Sequence, residues 1–250
     1  MSYPLVNHYK VVYTTKYLNN GGLFHLNMIQ QRTTKRAAII GAGLMGAGVI
    51  GDVVESKGYT PVFYDSDESK LTKLANERDV HIAIRVEEAI KGASLVALCT
   101  SLETRGEAIR QTAPLVEPGS IYFDIFGVKS IASRVDPSQV ETTTLDEMVR
   151  QASGPVSVYS IHPMHGPSVL PKNQKYPYIV GRDAGNSEKE FVRLFKGAGA
   201  QVFKISSAEY HDKNVAVIQA LTWLSKLSGA EAVLDAASGL GISLESLAGF

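Results

Sequence analysis

The 250-residue sequence holds a single cysteine, Cys99, and no net charge, because Lys+Arg 25 balance Asp+Glu 25. One thiol excludes an intramolecular disulfide and a cysteine-built zinc cage. Charge neutrality removes the clustered Lys and Arg that phosphate binding requires, so no nucleic-acid partner is expected. No apolar run reaches the length of a membrane span. The most apolar stretch, residues 37–51, is Gly-rich and stops at Asp52. Residues 1–34 contain no Asp or Glu, and their only charges are Lys10, Lys16 and Arg32. Without a continuous apolar core they do not read as a secretory signal, and they are poor in the Ser and Arg of a transit peptide. They read instead as a disordered extension or as a product of start-codon choice, with Met28 the natural first residue. A 44% apolar fraction is ample for a packed core. These absences leave a reduced, cytoplasmic protein as the expectation.

From Arg36 onward apolar runs alternate with helical patterns. Strands are expected at residues 37–40, 61–64, 80–84, 94–99 and 120–125. Helices are expected at 44–56, ended by Gly58, and at 68–76. Parallel strands need long crossovers, so strands separated by helices predict βαβ units and a mostly parallel, Rossmann-like α/β sheet. The pattern continues with strands at 156–161, 178–180 and 202–205 and a helix at 187–196. After Ser207 only helical spacing remains, in Val215, Ile218, Leu221, Leu224 and Leu227. The expected division is an extension over 1–34, a dinucleotide-binding α/β domain over 35–206, and a shortened all-helical domain over 207–250.

Gly41-Ala42-Gly43-Leu44-Met45-Gly46 sits between the first of these strands and its helix. The first glycine suits a tight turn, the second lets the backbone approach a pyrophosphate, and the third lets helix and strand pack closely. Leu44 and Met45 open the helix, whose first N–H groups and partial positive charge suit phosphates. Asp65 follows Gly46 by nineteen residues, at the end of the second strand, where an acid meets the ribose hydroxyls. Ser66-Asp67-Glu68 offers a 2′-phosphate only negative charge, so NAD is expected over NADP. Thr100 and Ser101 close the fourth strand. They fit either contacts to the ribose or nicotinamide side of the crevice or simple helix capping.

A second cluster, Ser160-Ile161-His162-Pro163-Met164-His165-Gly166-Pro167, follows a strand at its carboxyl end. The prolines restrict the backbone and fix the imidazole near the crevice. Histidine exchanges protons near neutral pH, and beside a nicotinamide it suits alcohol oxidation, taking the hydroxyl proton as hydride leaves carbon. Metal ligation by His162 and His165 is the weaker reading, because no Cys or carboxylate ligand lies close in sequence; no metal is expected. His81 reads as a satisfied strand histidine. Near the start of the long helix, His211 and Asp212 read mainly as charge placement favourable to the helix dipole, with an interdomain contact as the other reading. Gln219 and Trp223, four apart, share one helical face and fit a substrate pocket or an interface.

In order along the chain, the glycine loop, Asp124-Ile-Phe-Gly-Val-Lys129, His162-Pro-Met-His-Gly-Pro167 and Tyr210-His211-Asp212 with Gln219-Ala-Leu221 resemble the prephenate/arogenate dehydrogenases of tyrosine biosynthesis. The resemblance covers roughly residues 36–248. It implies NAD-dependent oxidative decarboxylation of a cyclohexadienyl substrate, with His162 and Lys129 catalytic and His165, Gly166, Gln219 and Trp223 at the substrate. It also implies a homodimer formed through the helical domain. The sequence departs from the family at Gly127, where the family carries a serine that assists at the substrate hydroxyl. It departs again at Trp223, where many relatives carry histidine. It ends at Phe250, before a family arginine that grips a substrate carboxylate, a task left to Lys129, Lys172 or Lys175. Two other readings stand beside this one: a different hydroxy-acid dehydrogenase using Lys213, and a non-catalytic NAD-binding regulator.

Overall fold

A computed structural model describes residues 9–12, 29–32, 35–129, 131–132, 142–143, 145–152, 156–181 and 187–239. In chain order the first strands are β1 (Tyr9–Val12), β2 (Ile29–Arg32), β3 (Lys35–Ile40) and β4 (Tyr59–Tyr64). Between β3 and β4 a π-helical stretch, Leu44–Ile50, continues into α1 (Gly51–Glu55). Next come α2 (Glu68–Glu77), β5 (His81–Ile82), α3 (Val86–Ile90), β6 (Ala93–Leu98), α4 (Arg105–Thr112) and β7 (Ile121–Asp124). The remainder is β8 (Ile131–Ala132), β9 (Thr142–Thr143), α5 (Leu145–Ala152), β10 (Ser157–Ile161), β11 (Lys175–Val180), α6 (Ser187–Lys196), β12 (Gln201–Lys204) and α7 (Ala208–Gly239).

Eight strands form one sheet in the order β12-β11-β10-β7-β6-β3-β4-β5. From β5 through β10 all neighbours are parallel, and their order of appearance is 3-2-1-4-5-6, the doubly wound dinucleotide-binding arrangement. β11 then pairs antiparallel with β10, and β12 joins it in parallel. The expected mostly parallel sheet is present, with every expected strand in it. β1 and β2 pair separately within the segment read as an extension, and β8 pairs with β9.

Burial on both faces explains the near-continuous apolar strands. On β3, Ala37 and Ile39 join one core cluster with Val49, Ile50, Phe123 and Phe191, while Ala38 and Ile40 join the other with Val96, Tyr122 and Ile109. Phe123, Tyr159, Phe191 and Phe195 interlock as ring pairs, Tyr159 stacking on Phe191 at 4.2 Å and Phe123 meeting Phe191 edge-on at 5.4 Å. Such geometries suit the aromatic quadrupole. α6 carries Glu188 and Glu190 in its first turn and Arg193 and Lys196 in its last, complementing the helix dipole.

Two local differences from expectation have clear causes. The helix after the glycine loop opens in π rather than α geometry, with Gly51 N–H closing on Gly46 O. Over seven Gly-rich residues the apolar spacing does not distinguish the two. The strand expected from Tyr178 starts three residues earlier, because Tyr176 and Pro177 align with Val202 and Phe203 on β12. That pairing partner is distant in sequence.

Candidate active site

The glycine loop joins β3 to its helix at the switch point between β3 and β6. Gly41 has φ +108°, a conformation only glycine adopts without strain, and a Cβ there would lie 2.5 Å from the Cys99 carbonyl oxygen. A Cβ on Gly46 would lie 1.9 Å from the Gly41 oxygen, so helix and loop close only through glycine. A Cβ on Gly43 would meet nothing within 4 Å. Gly43 is also the helix N-cap, without a side-chain cap bond and with no acidic residue in the first turn. The first N–H groups of the helix therefore face the cleft uncompensated by any side chain of their own, which suits an anionic pyrophosphate.

Around this loop lies a cavity of about 610 Å³, lined by Gly41, Gly43, Leu44, Met45, Asp65, Lys70, Thr100 and Ser101 among others. Asp65 sits at its edge. Its Oδ2 accepts the Ala42 N–H at 2.9 Å and its Oδ1 accepts the Asp67 N–H at 3.0 Å, so the acid holds the loop as well as facing the cleft. Lys70, from the second strand-to-helix crossover, approaches Asp65 Oδ1 at 3.4 Å. The sequence reading found only negative charge after Asp65. A cation does arrive there, carried back by the first turn of α2. Neither Thr100 nor Ser101 caps α4: Thr104 is the N-cap, it makes no side-chain cap bond, and its hydroxyl lies 3.1 Å from that of Ser101.

The second centre forms where β7 and β10, adjacent and parallel, end together. The loop after β7 carries Gly127, and β10 runs directly into His162. A Cβ on Gly127 would lie 3.4 Å from His162 Nε2, so the imidazole edge and the glycine face each other. The His162 N–H donates to the Pro177 carbonyl at 2.9 Å, which ties the turn to β11. On its other edge His162 Nδ1 lies 3.1 Å from His211 Nε2. His211 Nδ1 in turn lies 2.8 Å from Asp212 Oδ1, which also accepts the Lys129 backbone N–H at 2.8 Å. Burial is the main cause that pushes the His162 pKa down to about 3, with Lys129 and His211 adding to the depression and Asp212 opposing it. Burial likewise lowers that of His211. Burial thus favours the neutral form of both imidazoles.

Beneath them lies a buried ionic knot. Lys129 Nζ meets Asp124 Oδ1 at 3.1 Å and donates to the Ile161 carbonyl at 2.8 Å; both side chains of this pair are 1% exposed. Ser160 Oγ donates to the same Asp124 oxygen. Lys129 thus clamps the ends of β7 and β10 immediately beside His162. Arg105, the first residue of α4, lies 4.9 Å over the Phe126 ring and donates to the Val128 carbonyl, holding the loop that presents Gly127.

The remaining expected residues fall as follows. His165 is engaged at both nitrogens, Nδ1 at 2.8 Å from Gly166 O and Nε2 at 2.6 Å from the Tyr176 hydroxyl. Gly166 is exposed. Gln219 and Trp223 fall on α7, and their side chains lie outside the described residues. Lys172 and Lys175 are exposed. Lys213 is exposed and paired with Glu209 at 2.8 Å, away from any base role. Asp212 is the fifth residue of α7, past the first turn, so the dipole reading gives way to its bonds with Lys129 and His211. Reasoning from sequence missed Arg105 and Lys70 as parts of these sites. The reading of His211 and Asp212 as an interdomain contact near the active site did not name His162 as the partner, since the His162–His211 contact spans 49 residues and leaves no local pattern. Among the described residues no three His, Cys, Asp or Glu side chains gather as metal ligands.

Residues 36–148 match the family model described as the NAD binding domain of 6-phosphogluconate dehydrogenase. The match agrees with the doubly wound sheet and the glycine-loop cleft in describing an NAD-binding domain over this part of the chain. A probable arogenate/prephenate dehydrogenase from Methanocaldococcus jannaschii is 25% identical over 178 residues, covering 70% of this chain and 37% of that protein. The chain thus spans little more than a third of that relative. Synechocystis arogenate dehydrogenase superposes with a TM-score of 0.62 at 19% identity, covering 84% of this chain and 76% of that one. A reductive aminase from Aspergillus terreus, in complex with NADPH4, cyclohexanone and allyl amine, gives 0.61 at 18% identity, covering 87% and 70%. The likeness in sequence to that dehydrogenase covers part of its length, and the likeness to the solved structures is one of fold.

Proposed function

We propose that this protein catalyses the NAD-dependent oxidative decarboxylation of prephenate or arogenate, giving 4-hydroxyphenylpyruvate or tyrosine. The observation that carries the reading is His162. It is a buried imidazole at the carboxyl end of β10, with Nε2 3.4 Å from where a Cβ on Gly127 would lie, and the glycine-loop cleft lies at the end of β6, two strands away in the sheet. NAD held in the cleft by Gly41, Gly43 and Asp65 would supply the hydride acceptor for ring C4. His162 Nε2 takes the proton of the C4 hydroxyl; loss of carbon dioxide from C1 then leaves its bonding electrons in the ring, giving an aromatic phenolate that recovers the proton from His162. Aromatisation supplies much of the driving force, so the protein's task is to orient the ring and receive the proton. Lys129 serves by fixing the carbonyl that precedes His162, rather than by reaching the substrate with its own ammonium.

The anchored Asp65 carboxylate supports NAD, because a 2′-phosphate would sit against it. Lys70 beside it supports some use of NADP as well. The cytoplasm is the expected location, and no helix among the described residues is long and apolar enough to cross a membrane. A homodimer through α7 belongs to the same reading, since Val217, Ile218, Leu224 and Leu227 are each at least half exposed on that helix.

Prephenate and arogenate deuterated at ring C4 test the reaction. The expected products are deuterated reduced cofactor, carbon dioxide and the aromatic acid in equal amounts. Reduced cofactor without decarboxylation, or deuterium released to water, would contradict it.

A further inference from the structure

His162 exchanges a proton usefully only if the correct nitrogen carries the lone pair. A neutral imidazole has two tautomers, and which one forms is set by the partner of the other nitrogen. Here that partner is a second imidazole, whose own state is set by a carboxylate. Asp212 Oδ1 receives the Lys129 backbone N–H, which can only donate, so this oxygen is an acceptor. His211 Nδ1, at 2.8 Å from the same oxygen, is therefore its donor. A neutral His211 then has its lone pair on Nε2, and His162 Nδ1, 3.1 Å away, must supply the hydrogen. The lone pair of His162 is left on Nε2, the nitrogen facing Gly127.

We propose that His211 and Asp212 are positioning residues, a carboxylate–imidazole chain on α7 that holds His162 in the Nδ1–H tautomer and keeps Nε2 available as the base. The proposal rests on the function proposed above for its catalytic consequence, and for the tautomer on this geometry with His211 neutral. The chain depends on neutrality at both rings. Among the described residues the charged groups that bear on it are Lys129 on the positive side and Asp124 and Asp212 on the negative. His211 is 2% exposed, and burial disfavours its cationic form, which would donate from both nitrogens and reverse the assignment. The arrangement also gives a role to the fourth and fifth residues of a helix that otherwise runs out along an exposed apolar face. The base on the sheet is set by residues of the helical part.

The test uses the full chain labelled with ¹⁵N-histidine. Ring nitrogen spectra at pH 7 show which nitrogen of each histidine is protonated, and His162→Gln assigns the signal. The expected result is a single Nδ1–H tautomer at His162, replaced by a mixture in His211→Phe. With NAD and prephenate or arogenate, His211→Phe is expected to lose roughly ten- to a hundred-fold in kcat, part of what a general base contributes, with KM nearly unchanged. His211→Gln keeps an amide oxygen that can accept from His162 Nδ1, and it should recover most of both the tautomer and the rate. Should His211→Phe fail to fold, this conservative variant and the wild-type spectrum still decide. An Nε2–H tautomer in the wild type, or a spectrum and kcat unmoved by His211→Phe, would overturn the proposal. Absence of turnover with both substrates in the wild type would remove the reaction reading, and the spectra would judge the tautomer independently.

Discussion

Three glycines of one loop make different demands, and substitution separates them. Gly46→Ala drives a Cβ to 1.9 Å from the Gly41 oxygen, so helix and strand must part; a stability loss of about 1–3 kcal/mol or more is expected. Gly43→Ala meets open space, so thermal stability should hold while dinucleotide affinity falls. Calorimetry of unfolding and of NAD binding measures both. Gly127 offers the opposite case, a place where adding atoms helps. A serine hydroxyl there comes within hydrogen-bond reach of His162 Nε2, and one neutral hydrogen bond contributes about 1 kcal/mol, roughly fivefold in rate. Gly127→Ser is accordingly expected to raise kcat with prephenate or arogenate, as steady-state kinetics would show. The glycine spacing and the proline-flanked His162 were legible because their constraints are local. The partners of His162 were not, since His211 and Asp212 reach it only through the packing of α7.

Elements meet at strand ends, and the buried Lys129–Asp124 pair fastens β7 to β10 there. Removing one partner of a buried pair leaves the other charge uncompensated, which costs about 3–5 kcal/mol. Lys129→Met should therefore lower the urea midpoint strongly, and adding Asp124→Asn should restore part of the loss. An unchanged midpoint would show that the clamp is not needed. Most strands of this sheet were readable from continuous apolar runs, because both faces are buried and composition alone marks them. Short amphipathic helices such as α3 and α4 were not, because five to eight residues give too few turns for a period. The early start of β11 was hidden for a different reason: β12 decides it from across the sheet. Lys70 shows the same limit, since an ordinary surface lysine comes to line the glycine-loop cavity only once α2 brings it back beside Asp65.

At the scale of the whole molecule, burial of a neutral histidine links stability to pH. The His162 pKa lies near 3 in the folded chain, against 6.5 in the unfolded one. Between those values the unfolded chain binds a proton that the native chain does not, so unfolding gains as the pH falls. Stability should drop from pH 6.5 toward 3 with a His162 contribution of up to about 1.4 kcal/mol per pH unit, and this group adds no slope above 6.5. His162→Gln should flatten that part of the denaturation profile. The same neutrality is what the proposed role of His162 as a base requires through the physiological range. The doubly wound sheet puts His162 at the carboxyl end of β10, two strands from β6, and α7 brings His211 within 3.1 Å of it. Following absorbance of reduced cofactor at pH 7, with purified protein, NAD and prephenate or arogenate, tests the central claim most directly. Turnover with one of them, lost by at least about a hundredfold in His162→Ala, is the predicted result. Equal rates in wild type and His162→Ala, or no reduction of NAD with either substrate despite its binding, would contradict it.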